Sequence, residues 1–121
     1  TGEAHYTSAK FPEEISEFSE SGLGEEYLGG FYAPFVKESL LKMAVTYQEE
    51  YHVKVSNTIL VVGRIESVYL PEEIISEDGQ PDLEAIGSVA ISGLSHYHTT
   101  KKIASYPYAR PGQFPDNTIP G

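Results

Sequence analysis

Between Gly93 and Gly112 the chain reads GLSHYHTTKKIASYPYARPG. These twenty positions hold three of the nine tyrosines, two of the four histidines and three of the eight basic residues of a 121-residue chain. From Lys101 to Arg110 there is no acid, although the chain as a whole carries a formal net charge of −10. A tyrosine offers a flat face and a hydroxyl, while threonine hydroxyls and lysine ammonium groups are donors suited to a phosphate. Tyr97, Lys101, Lys102, Tyr106, Tyr108 and Arg110 therefore form a set that a flat, phosphorylated ligand would want. The competing reading is packing: half-buried tyrosines beside a solvated basic face. Composition by itself favours that second reading.

Other chemistry is thinly supported. His96 and His98 stand two apart, so on a strand both imidazoles would point the same way and could chelate a metal. A third ligand would have to come from His5, His52 or a distant acid, and surface or hydrogen-bonded histidines are the favoured reading. Ser92 and Ser95 lie near histidines in sequence, but no GxSxG element supplies a positioned nucleophile. Gly22 and Gly24 invite a dinucleotide fingerprint, yet Tyr27 occupies the third glycine position and no strand precedes it. With no cysteine, disulfides, thiolate ligands and thiol nucleophiles are excluded. That absence fits a cytoplasmic protein.

The charge balance narrows the partners. Eighteen acids against eight basic residues would repel a phosphate backbone over most of the surface, so neither nucleic acid nor an anionic membrane is expected. No apolar run approaches the ~18 residues of a membrane span. The length allows one domain with one modest core.

The elements that must position these residues are mainly strands. In LLKMAVTYQEEYHVKV the odd positions from Leu41 to Val55 are apolar apart from Glu49, and the even ones are mostly polar. This period-two pattern predicts a long strand, or two joined by a bulge, with its apolar face buried. Ser56 to Thr58 can turn the chain, and Thr58 to Leu70 predicts a second strand. Its first half is apolar on both faces and should sit deep in a sheet, with a bend or close approach at Gly63. Upstream, Phe11 to Gly24 predicts a short helix opening at Pro12 and stopping at Gly22, with a glycine-rich loop after it. Downstream, residues 71–87 are acidic punctuation with a turn at Asp78-Gly79 and one helical turn at 81–87, then a short strand over 88–94. Residues 111–121 hold three prolines and predict an irregular tail. Two good strands, a third short one and scattered helical turns leave apolar faces without a partner sheet, as in part of a larger barrel or a tight oligomer.

The stretch NTILVVGRIESVYLPEEIISEDGQPDLEAIGSVAISGLSHYHTT resembles the C-terminal half of the flavin reductase-like family, the FMN-binding split barrels. The elements carrying the likeness are Gly63-Arg64-Ile65, Asp78-Gly79, Asp82-Leu83, and Gly93 with Tyr97. YTSAKFPEEISEFSESGL resembles the serine- and proline-containing segment upstream, and YPYARPGQF an extension of one branch. The resemblance covers most of residues 6–114 and implies an antiparallel split β-barrel, mainly β with short helices and incomplete in this chain. Residues 1–121 would then be the C-terminal portion of one FMN-binding domain, lacking the N-terminal strands that usually carry much of the FMN contact. It implies a homodimer with hydride passing from NAD(P)H to FMN and onward to an acceptor, in an enzyme of which this portion alone would be inactive. Carried onto this chain, Tyr97 and His96 would approach the flavin, and Lys101, Lys102 or Arg110 would balance a phosphate. Thr7 and Ser8 would hydrogen-bond the cofactor from the other side. The alternative is a β-rich binding or assembly module, without chemistry of its own, that pairs with another chain.

Overall fold

The computed structural model describes residues 1–114. The chain is mainly β, with short helices, and among the described residues its strands form three antiparallel two-stranded sheets, none of them closed. Its contacts divide into two compact units, Thr1–Ile75 and Ser76–Gly121.

In the first unit the dominant element is the ribbon of β3 (Lys42–Val53) and β4 (Thr58–Tyr69), preceded by the small ribbon of β1 (Glu25–Glu26) and β2 (Phe35–Val36). β3 forms where the alternating pattern predicts a strand, and β4 where the apolar stretch after the turn predicts one. Their connection spans residues 54–57, with Asn57 at a φ of 51°, a conformation that asparagine tolerates better than most side chains. Two bulges interrupt the ladder. Gln48 is left over between the pairs Tyr47↔Gly63 and Glu49↔Val62, and Glu66 between Val45↔Ile65 and Ala44↔Ser67. The first shifts the phase of the strand at the place where Glu49 breaks the alternation, because an extra residue on one strand moves all later side chains to the other face.

Burial on this ribbon is the reverse of the expectation. Ala44, an even position, is 1% exposed, whereas the odd positions Met43, Val45, Tyr47 and Tyr51 lie open. Ile59, Leu60, Val61 and Val62, expected deep in a sheet, are exposed as well. The cause is architectural: among the described residues these two strands pair only with each other. Among the described residues the buried apolar side chains are Phe35, Ala44 and Ile74. Against Phe35 sit Phe31 and Tyr69, with ring centroids 5.9 and 5.6 Å from its own. Tyr69 also presses its hydroxyl against Gly29, whose φ of 58° already favours glycine.

The helices differ from expectation. Residues 12–15 form a turn, with Ile15 N–H donating to the Pro12 carbonyl, and α2 runs only over Glu17–Ser21. Ser16 takes the extended backbone of a helix cap and so delays the start by five residues, from Pro12 to Glu17, while Gly22 at φ 74° ends the helix as the sequence predicts. Residues Gly2–Tyr6 form another short helix, α1, which the polar composition conceals. β1 lies in the glycine-rich stretch read as a loop, and β2 follows directly after it.

In the second unit β5 (Val89–Ser92) and β6 (His96–Thr99) form a hairpin, its turn entered at Gly93 with φ 61°. The expected strand over 88–94 thus gains its partner from the histidine segment. The tail prediction falls partly on residues 115–121, which lie outside the described residues; Arg110 and Gln113 make an isolated bridge just before them.

Candidate functional site

The second unit contains a cleft of about 600 Å³. One wall is the segment from Ser76 to Glu84, and the other is formed by Thr100, Lys101, Lys102 and Ser105. The sequence singled out the lysine wall. It read the acidic wall only as a connector.

Local hydrogen bonds explain why that connector holds a shape. Gly79, at φ 78°, closes a turn in which its N–H donates to the Ser76 carbonyl at 2.8 Å and the Ser76 N–H donates to the Gln80 carbonyl at 2.8 Å. The Ser76 hydroxyl and the Gln80 N–H both serve Asp78 Oδ1. These two donors, the hydroxyl first, hold the Asp78 carboxyl below the usual aspartate range, with the nearby Lys102 charge adding to them. Asp82 Oδ1 accepts from the N–H groups of Glu84 and Ala85, both at 3.0 Å, and starts the helical turn over 82–86. Glu84 Oε1 accepts the Lys102 N–H and so ties the two walls together. Each acid of the cleft is therefore engaged by donors of the chain itself. The Lys101 and Lys102 side chains remain as its cationic groups, beside the hydroxyls of Ser76, Thr100 and Ser105. The Thr100 hydroxyl already donates to the Ser88 carbonyl at 3.1 Å.

The other predicted residues fall elsewhere. Tyr97 is half-buried on β6 and pairs with Ile91. His96 pairs with Ser92 and His98 with Ala90, so the two histidines share one face of the hairpin and Tyr97 the opposite one. Ser92 Oγ lies 2.8 Å from His98 Nε2. Neither Tyr97 nor Arg110 lines the cleft. Thr7 and Ser8, in the first unit, cap the end of α1: their hydroxyls donate to the carbonyls of Ala4 and His5, each at 2.7 Å. A hydroxyl has one proton to donate, so neither can give a hydrogen bond to a phosphate while these bonds stand. Among the described residues no cluster of three or more histidine, aspartate or glutamate side chains could hold a metal ion. No helix among them is long and apolar enough to cross a membrane.

Comparison with known proteins places the fold. A crystal structure from Shewanella frigidimarina NCIMB 400, described as a flavin reductase with split barrel domain, is 47% identical to this chain with a TM-score of 0.83. The match covers 89% of this chain and 55% of that one. The flavoredoxin of Desulfovibrio vulgaris (Miyazaki F) superposes with a TM-score of 0.73 at 19% identity, over 93% of this chain and 59% of its own. Component B of nitrilotriacetate monooxygenase from Bacillus cereus gives 0.69 at 19% identity, over 86% of this chain and 53% of its own. This chain thus spans little more than half the length of each, and their shared fold is the split barrel. No family model and no curated protein matches it.

Proposed function

Because the chain belongs to the flavin reductase-like split-barrel family, we propose that it is part of an FMN-dependent oxidoreductase that passes hydride from NAD(P)H through FMN to an acceptor. The observation that carries this reading is the 47% identity to a chain described as a flavin reductase, on the same fold. When bound, the flavin supplies the redox chemistry; the protein supplies position and excludes water. In this chain the Lys101 and Lys102 ammonium groups would hold the phosphate, in a cleft whose carboxylates are occupied by internal donors. Of His96 and Tyr97, which stand on opposite faces of β6, the reading takes Tyr97 as the residue lining the ring, since it is the half-buried aromatic one. Arg110 would balance charge on the phosphate or on the nicotinamide substrate. Thr7 and Ser8 would contribute only acceptors unless their helix-end bonds open.

The exposed apolar face of β3 and β4 supports one further part of the reading. The remaining strands of the same barrel would cover it, and a homodimer would then place the flavin near the subunit boundary. The open edges of the same ribbon also favour the second reading, an assembly module that pairs with another chain and has no chemistry of its own. The full-length protein decides between them. It should be yellow as purified, or take up added FMN, and should oxidise NAD(P)H in a flavin-dependent way. A colourless protein that fails to bind FMN would overturn the flavoenzyme reading.

A further inference from the structure

We propose that the face of the β5–β6 hairpin opposite Tyr97 is an exchangeable binding site for a divalent transition metal ion of the imidazole-preferring class, Cu²⁺ or Zn²⁺. The flavin reading leaves this face unused. His96 and His98 are alternate residues of β6, so both imidazoles leave the same side of the hairpin, and Ser92 and Ala90 face them across the ladder. Both rings are solvent-exposed, so an ion can reach them. The Ser92 hydroxyl, 2.8 Å from His98 Nε2, gives one ring a fixed partner. A metal-bound histidine usually donates its second ring N–H to such a partner. In the bound state His98 Nε2–H donates to Ser92 Oγ, which leaves Nδ1 as the ligating nitrogen.

The donor set also specifies what kind of site this is. The chain has no cysteine, so the ligands here are nitrogens, which suit Cu²⁺ and Zn²⁺ better than the oxygen-seeking Mg²⁺ or Ca²⁺. Among the described residues no third histidine or carboxylate joins the pair. Water must complete the coordination shell, so the ion exchanges readily and is not a structural metal of the kind that closes four protein ligands. The net charge of −10 raises the local concentration of cations around the whole molecule.

The test is a titration of the intact, metal-stripped protein with Cu²⁺ alone, read by calorimetry and by electron paramagnetic resonance, with Zn²⁺ as competitor. The site predicts one ion per chain, nitrogen hyperfine structure from two imidazoles, and displacement by Zn²⁺. His96→Asn and His98→Asn should each abolish the two-nitrogen signature. Ser92→Ala should keep both nitrogens but weaken binding by about tenfold. His5→Asn and His52→Asn should change nothing. Circular dichroism on every variant checks that the hairpin persists, which the exposure of these side chains favours. The proposal is overturned if His96→Asn and His98→Asn together bind Cu²⁺ like the parent. It is equally overturned if binding falls with His5 or His52, or if the parent binds no more tightly than free imidazole.

Discussion

Val45 fills the space in which Gly63 would carry a side chain. A Cβ built on Gly63 overlaps Val45 Cγ1 and comes within 3.3 Å of the Thr46 carbonyl oxygen. The close approach lies between the two bulges that flank this part of the ladder, where a bulged strand bends and twists more strongly. Gly63→Ala should therefore destabilise the ribbon by about 1–3 kcal/mol through overpacking, despite the better strand propensity of alanine. Adding Val45→Ala should restore part of the loss. Urea midpoints of the two variants check both statements; equal midpoints for Gly63→Ala and the parent would refute the first.

Acid should weaken the fold in a defined direction. Three surface carboxyls are held below their ordinary values: Glu38 by the Gly24 N–H, Glu66 by the Thr46 hydroxyl and then Arg64, and Asp78 by the Ser76 hydroxyl and then the Gln80 N–H. A depressed value in the fold means that the unfolded chain binds the proton first. The contribution to stability is then fully present above the ordinary values of 4.5 for glutamate and 3.8 for aspartate. It is lost as the pH falls through the lower folded values. Urea midpoints should stay level from neutral pH to about pH 5 and drop below it. Glu38→Gln should lower the neutral plateau and make the acid limb shallower, with an unchanged limb counting against the assignment.

The tie between the cleft walls is testable by itself. Glu84 accepts the Lys102 N–H, and that bond spans eighteen residues of sequence. Glu84→Ala should speed hydrogen exchange at the Lys102 amide by about five- to tenfold, the loss expected for one net hydrogen bond. Glu84→Gln keeps an acceptor and should retain most of the protection. An amide at Lys102 that exchanges equally in all three proteins would remove the tie.

How far the sequence could be read follows from the range of the forces involved. β3 was legible because period-two alternation over twelve residues is a strong local signal, with Glu49 marking the bulge, and β4 because an apolar, β-branched run follows a turn. Asp78-Gly79 and Gly22 were legible as turn and stop because their backbone demands are local too. Burial was not. The alternation reports which face a complete barrel would cover, and in this chain that face lies open while Ala44 packs on the other side. β1 and β2 were hidden because two-residue strands carry no period. Of the candidate site, the lysine pair was visible as a cluster of like charge. Its partner wall was not, because Ser76, Asp78 and Glu84 contribute through hydrogen bonds that only the turn geometry creates. The opposite orientation of His96 and Tyr97 was implicit in their adjacency once both were placed on one strand.

That opposition yields the sharpest test of the cofactor reading. If Tyr97 lines the ring and the two lysines hold the phosphate, their losses separate by ligand. Tyr97→Leu should weaken FMN and riboflavin alike, by about tenfold each, because stacking acts on the shared ring. Lys101→Ala with Lys102→Ala should weaken FMN by about tenfold and leave riboflavin nearly unchanged, since riboflavin lacks the phosphate. Raising the salt concentration should shrink the FMN preference in the parent and not in the lysine variant, because exposed charges are screened within about 8–10 Å at such ionic strengths. His96→Leu, on the opposite face of β6, should leave both affinities in place. Flavin fluorescence quenching in the full-length protein measures all four. Should His96→Leu weaken both flavins while Tyr97→Leu does not, the assignment of faces is inverted. Should the lysine variant bind both ligands like the parent, the phosphate is held by residues outside this cleft.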